Sequence, residues 1–149
     1  GCSIPQSVAF FLYLAEQFPA EQLWPGDVYA RAQARSACAQ MHSGFFAMRN
    51  HMPFNLSHDA PLNPVPPEVK VDIERMLALW AECRAAATEP GPYLFGRVSL
   101  ADAFFAPIAV RLRTYQVPLP AVDQAYVETV YQWPAFKAWQ KAGLEELNP

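Results

Sequence analysis

Apolar residues recur at alternating steps of three and four along most of the chain, the spacing of one helix face. After Asp27, a favourable N-cap, this pattern predicts a long helix that ends at Pro53. Its apolar positions are Ala34, Cys38, Met41, Phe45, Met48 and Met52. A second, polar stripe on the same helix is formed by Arg31, Arg35, His42 and Arg49. Such regular steps favour antiparallel helices packed as a bundle.

Four further helices are predicted downstream. One runs from Pro67 to about Ala87, after a proline-rich loop. The next opens with Ser99 and Asp102, which have the spacing of a capping box, and Pro107 within it predicts a kink near Ala103. Shorter helices are expected over about 121–132 and 134–145. No hairpin signal and no alternating strand interrupts them, so the predicted fold is all-α, a bundle of about six helices.

The N-terminal segment predicts a helix from Ser3 to Phe18 that is apolar on every side. Its large apolar side chains are Val8, Phe10, Phe11, Leu12, Tyr13 and Leu14. A helix of this kind must be covered on every side. Exposing three or four such side chains costs roughly 5–10 kcal/mol. We therefore expect a second copy of the chain, as a homodimer, or a partner protein to cover this helix.

Composition narrows the classes of partner. The chain has 149 residues, 52% of them hydrophobic and 17% charged, with a net charge of −3. These values indicate one folded domain without a basic surface for nucleic acid or anionic membranes. No apolar run reaches the roughly 18–20 residues of a membrane span. We thus expect neither a nucleic-acid nor a membrane partner.

Three cysteines, Cys2, Cys38 and Cys83, are too few for a disulfide framework. Cys38 and Cys83 lie on apolar helical stripes, which favours small, reduced core residues over redox or nucleophilic roles. No cysteine or histidine spacing indicates a metal site. A reducing compartment, the cytoplasm, is expected.

One motif is more specific than a generic bundle. Residues 96–102 read G-x-x-S-x-A-D, which resembles the capping-box segment in the C-terminal domain of glutathione S-transferases. The segments 13–19, 23–25, 35–45 and 133–139 resemble further parts of bacterial members, so the resemblance covers about residues 7–146. It implies the family's helical bundle for residues 20–149. It also implies that residues 1–19 are the last helix of a thioredoxin-like domain that is otherwise missing.

The resemblance also implies candidate sites. In the family, an acidic residue followed by serine holds the γ-glutamyl end of glutathione; Gln6 and Ser7 stand there, so only Ser7 matches. The catalytic residue belongs to the thioredoxin-like domain, so none is assigned here, and no cofactor is expected for this chain alone. Glutathione would bind only with a thioredoxin-like domain from another chain. The expected substrate pocket comprises His42, Phe45, Arg49, Phe104, Ile108 and Arg111.

Alternatives remain for several of these residues. His42 is either at the pocket or a solvent-facing helical residue, and the aromatic side chains fit an ordinary core. Arg111 or Arg113, inside an apolar helix, meets a buried carboxylate, a carbonyl or a ligand anion. Asp102 fits a helix cap better than a catalytic acid.

Three functional hypotheses follow. The first is a non-catalytic binding module for an apolar small molecule or a partner protein. The second is the helical half of a split or truncated glutathione transferase, which conjugates glutathione to hydrophobic electrophiles. The third is a truncated product without a selected role.

Overall fold

The computed structural model describes residues 4–147, and the predicted cap Ser3 and Cys2 lie outside that range. Within it the chain forms seven α-helices and a short 3-10 turn at Pro19–Glu21. The helices are α1 (Ser7–Gln17), α2 (Val28–Ser43), α3 (Phe46–His51), α4 (Pro67–Ala85), α5 (Leu100–Thr114), α6 (Ala121–Gln132) and α7 (Pro134–Leu147). The described residues form no β-strand, only isolated bridges at 93–97. The all-α prediction is confirmed, and none of these helices is long and apolar enough to cross a membrane.

The prediction of one helix from Asp27 to Pro53 is wrong, because the chain breaks at Gly44 and Phe45. Gly44 is extended, and Phe45 adopts the left-handed conformation with φ 58°. The break turns the Phe45 ring into the core, where the Arg75 guanidinium lies 4.8 Å from the ring centre. The Asp72 carboxylate then accepts a hydrogen bond from the Met48 N–H at 3.0 Å, in the first turn of α3. These tertiary contacts stabilise the broken conformation, since the Asp72 carboxylate satisfies an N–H group that the start of α3 leaves without a helical partner.

The buried centre of the bundle is α5, which packs between α2 and α6. The predicted capping box is present at its start. The Ser99 N–H donates to Asp102 Oδ2 at 2.8 Å, and the Ala101 N–H donates to Ser99 Oγ at 3.2 Å. The helix continues through Pro107, and the bend near Ala103 stays a prediction.

The fully buried Asp102 also joins two neighbouring elements to α5. Its Oδ1 accepts hydrogen bonds from the Leu94 N–H at 3.1 Å and from the Tyr126 hydroxyl at 3.2 Å. Burial raises the pKa of Asp102, and the hydrogen bonds oppose that rise. The carboxylate is therefore a structural junction between the 88–98 loop, α5 and α6.

The helix α1 packs against α2 by one face and leaves apolar side chains exposed on another. Phe11 and Leu12 are half-buried against the core, whereas Phe10 is 41% exposed and Tyr13 is 43% exposed. No residue of α1 is fully buried. The single chain thus leaves this apolar helix partly uncovered. The domain boundary after residue 19 stays a prediction.

Candidate functional site

A cleft of about 240 Å³ lies where α1, α2, α3 and α5 meet. We call it the polar cleft, and it is lined by Ser7, Phe11, Met41, His42, Arg49, Ala103, Phe104 and Pro107. Four of the residues singled out from the sequence meet here: Ser7, His42, Arg49 and Phe104. The structure therefore brings together residues that are nearly one hundred positions apart.

An aromatic contact positions α1 at this cleft. The ring of Phe11 meets the ring of Phe104 edge-on, with centroids 5.5 Å apart and an interplanar angle of 81°. Edge-on pairs of this kind are favourable beyond the area they bury. Ser7 lies one turn before Phe11 on the same helix, so this contact places Ser7 at the cleft.

The break between α2 and α3 brings the two basic residues together. His42 is exposed in the last turn of α2, and its carbonyl accepts a hydrogen bond from Arg49 Nη1 at 3.2 Å. Had α2 continued through Phe45 as a regular helix, Arg49 would lie about two turns, roughly 10 Å, farther along the axis. The break at Gly44 and Phe45, which the predicted long helix lacked, therefore places His42 and Arg49 together at the polar cleft.

Arg111 lies beside the polar cleft, one turn after Pro107. Its Nε donates to the Met52 carbonyl at 2.9 Å, and its Nη1 donates to the Pro107 carbonyl at 3.1 Å. Burial lowers the pKa of Arg111, and the positive charge of Arg49 lowers it further. No carboxylate of the described residues pairs with either arginine. This corner consequently carries uncompensated positive charge. Among the partners considered from the sequence, a carboxylate, a carbonyl or a ligand anion, the structure shows carbonyls for Arg111. Arg113 is exposed and lies over the Tyr131 ring.

A second cleft of about 250 Å³ lies on the other side of Ala103 and Pro107. We call it the apolar cleft, and its remaining lining residues are Ala106, Trp133, Ala135, Phe136 and Trp139. Because Ala103 and Pro107 line both clefts, the two are neighbours on one face of α5. Together they form what we call the α5 groove, cationic at one end and aromatic at the other.

Three of the six residues expected at the pocket do not line either cleft: Arg111 lies beside the polar cleft, and the other two lie elsewhere. The structure places Phe45 and Ile108 in the hydrophobic core, each almost without solvent exposure. The aromatic side of the groove was not among the sites expected from the sequence, although Trp133, Phe136 and Trp139 are close together there. Three aromatic residues within seven positions, starting at the Trp133-Pro134 pair, were the signal that the sequence offered. Trp139 is half exposed to solvent.

The two thiols of the described residues are poorly suited to nucleophilic chemistry. Burial raises the pKa of both Cys38 and Cys83 to about 12, so both stay protonated and inaccessible in the core. Asp102 is fully buried and caps the start of α5. Among residues 4–147, no group of three or more metal-binding side chains comes together.

Comparison with protein families gives a match over most of the bundle. The model described as glutathione S-transferase, C-terminal domain, matches residues 30–142. That range includes every residue of the α5 groove except Ser7 and Phe11 on α1. A search of curated proteins found no match.

Proposed function

The chain belongs to the glutathione S-transferase C-terminal domain family, and from that premise we propose that it binds an apolar small molecule in the α5 groove without catalysing a reaction alone. The observation that carries this proposal is the meeting of the two clefts at Ala103 and Pro107. A concave, mostly apolar site with a few polar groups at one end is the usual form of a small-molecule site.

The charges of the groove define the ligand further. The aromatic side chains Trp133, Phe136 and Trp139 would contact an apolar, ring-containing body. At the opposite end, Arg49 has no carboxylate partner among the described residues. Its positive charge is close enough to lower the pKa of Arg111. An acidic group on the ligand would relieve that repulsion. The proposed ligand is therefore an apolar molecule with one anionic group.

A second candidate is the helical half of a glutathione transferase that conjugates glutathione to hydrophobic electrophiles. The placement of Ser7 at the polar cleft, on the helix that also exposes Phe10 and Tyr13, favours it. A thioredoxin-like domain, from another chain or from a longer polypeptide, would supply the glutathione site and the residue that activates its thiol. The α5 groove would then hold the electrophile.

The exposed face of α1 supports a protein partner in either case. We propose that a homodimer contact or a partner protein covers Phe10 and Tyr13, because leaving them in water is unfavourable. The reduced and buried thiols of Cys38 and Cys83 support the cytoplasm as the compartment. A monodisperse, stable monomer at nanomolar concentration in analytical ultracentrifugation would contradict the homodimer.

Binding in the groove is tested with the anionic dye 8-anilino-1-naphthalenesulfonate. We expect saturable fluorescence enhancement, and about tenfold weaker affinity for Arg49→Gln, since a charge-assisted contact is lost. The matched control is Arg113→Gln, which removes an exposed arginine of α5 outside the groove and should leave the affinity unchanged. Equal effects of the two substitutions would contradict the proposed site.

Catalysis is tested separately with glutathione and an aromatic electrophile. The chain alone should react at the uncatalysed rate. Conjugation that appears only after addition of a thioredoxin-like domain would favour the second candidate. A rate above background with the chain alone would overturn the non-catalytic proposal.

A further inference from the structure

A separate cavity of about 510 Å³, open to solvent, lies between α4, the loop that joins α3 to α4, and the residues that follow α5. We call it the loop cavity. Its apolar lining comes from three places: Leu62 and Val65 in the loop, Ile73 and Leu77 on α4, and Val117 just after α5. It shares no residue with the α5 groove.

The loop over this cavity spans residues 52–66 without a helix or strand of its own. Loops longer than about 12–15 residues without secondary structure are uncommon in compact domains and are often functional. Three hydrogen bonds hold the loop to the end of α5: Tyr115 Oη to the Pro53 carbonyl (3.2 Å), the Ala60 N–H to the Thr114 carbonyl (3.2 Å), and Gln116 Nε2 to Asp59 Oδ1 (2.9 Å). These bonds fix the loop to the end of α5, beside the cavity.

The size of the cavity fits a ligand better than a packing defect. Small-molecule sites have volumes of roughly 300–1,000 Å³, and the loop cavity, at about 510 Å³, lies within that range. The apolar lining side chains Leu62, Ile73 and Leu77 are only partly buried, so a bound molecule would remove apolar surface from water.

The charges at the cavity select the class of ligand. Lys70 and Glu74 lie one turn apart on α4 and both line the cavity. Neither forms an ion pair with any described residue, and their opposite charges leave the lining with no net charge. A charged ligand would be attracted by one and repelled by the other. A neutral ligand with a hydroxyl or N–H group could donate to the Glu74 carboxylate.

We propose that the loop cavity is a second binding site, for a neutral apolar small molecule with one uncharged hydrogen-bonding group. This site differs in charge from the α5 groove, where Arg49, which has no carboxylate partner among the described residues, favours an anion. The two sites should therefore separate ligands that have the same rings and differ only in charge.

Two dyes with the same anilinonaphthalene rings make that test direct. N-phenyl-1-naphthylamine is neutral with one N–H, and 8-anilino-1-naphthalenesulfonate adds a sulfonate. The variant Leu77→Trp fills the loop cavity, and the matched control Ala103→Phe fills the α5 groove instead. We expect saturable one-to-one binding of the neutral dye, weakened at least tenfold by Leu77→Trp and less than twofold by Ala103→Phe. The anionic dye should show the reverse pattern, and circular dichroism checks that both variants fold.

The unmodified protein provides a readout that does not depend on the variants. With N-phenyl-1-naphthylamine bound, isotope-filtered NMR should show NOEs from the dye to the methyl groups of Val65, Ile73 and Leu77. No saturable binding of the neutral dye, or NOEs to Ala103 and Ala106 instead, would overturn the loop-cavity site and leave the α5 groove proposal intact. If the unmodified protein binds the neutral dye but not the anionic dye, the α5 groove proposal is overturned and the loop-cavity site stays intact.

Discussion

Replacing Asp102 by alanine should destabilise the fold more than any other single change in its polar interior. The carboxylate is fully buried and accepts hydrogen bonds from the Leu94 N–H, the Ser99 N–H and hydroxyl, and the Tyr126 hydroxyl. Alanine accepts none, so two backbone N–H groups, the Ser99 hydroxyl and one phenol lose this partner inside the protein. An unmet buried polar group costs about 1–3 kcal/mol, so with some relaxation we expect a loss of about 3–5 kcal/mol.

Urea unfolding followed by far-ultraviolet circular dichroism measures that loss. The matched control is Tyr126→Phe, which removes one hydrogen bond from the donor side and leaves the carboxylate with its other partners. We expect the control to lower the free energy of unfolding by about 1 kcal/mol. If Asp102→Ala destabilises the protein no more than Tyr126→Phe does, the carboxylate does not join the loop, α5 and α6 as argued.

The same residue gives the stability a pH dependence of defined sign. Burial raises the pKa of Asp102 above the usual aspartate value of 3.8. At a pH between 3.8 and the raised pKa, Asp102 keeps its proton in the native state, whereas the unfolded chain has released it. The contribution of this proton to the free energy of unfolding is therefore complete below pH 3.8 and decreases as the pH rises through the raised pKa. The free energy of unfolding of the unmodified protein minus that of Asp102→Asn should therefore decrease with pH in this window. A difference that increases with pH would contradict the reasoning.

Two further predictions concern the loop before α5 and the buried thiols. Gly96 has φ +87°, and a Cβ there would lie 2.2 Å from a backbone oxygen, so Gly96→Ala should cost about 3 kcal/mol or more in urea unfolding. Gly26→Ala, where a Cβ meets nothing within 4 Å, should change stability by less than about 0.5 kcal/mol; equal losses would refute the steric argument. In a variant with Cys2 replaced by serine, Cys38 and Cys83 should react with an aromatic disulfide reagent at about pH 8 only as fast as the protein unfolds. Both thiols are buried, and with pKa values of about 12 only about one thiol in ten thousand is ionised at that pH. Rapid labelling without urea would disprove their enclosure.

The helices that local signals define could be predicted from the sequence. Ser99 and Asp102 form their capping box because it needs only a spacing of three residues, and Pro67 and Pro134 begin helices because their missing N–H is harmless in the first turn. The break at Gly44 could not be predicted in this way. A glycine inside a helix costs only about 1 kcal/mol, so the distant contact of Asp72 with Met48 decides the outcome.

The site was predictable only in part, for the same reason. The resemblance singled out Ser7, His42, Arg49 and Phe104, which the polar cleft contains. The helical stripe cannot distinguish a core position from the wall of a cleft, and Phe45 and Ile108 lie in the core. The apolar cleft depends on how α7 lies against α5, and the loop cavity depends on hydrogen bonds across more than fifty residues of sequence. Neither leaves a local pattern.

The two arginines beside the polar cleft differ in what they can offer a ligand. Arg111 donates to the carbonyls of Met52 and Pro107, and its guanidinium lies 5.6 Å from the centre of the Phe54 ring. Carbonyl oxygens and a ring face stabilise a buried cation without a carboxylate, so Arg111 is explained by the fold alone. Arg49 lines the cleft itself and makes one hydrogen bond, to a carbonyl, with its guanidinium 6.0 Å from the centre of the Phe46 ring. Substitution of Arg111 should therefore lower stability, whereas substitution of Arg49 should lower affinity, because of the two only Arg49 lines the cleft that a ligand would enter.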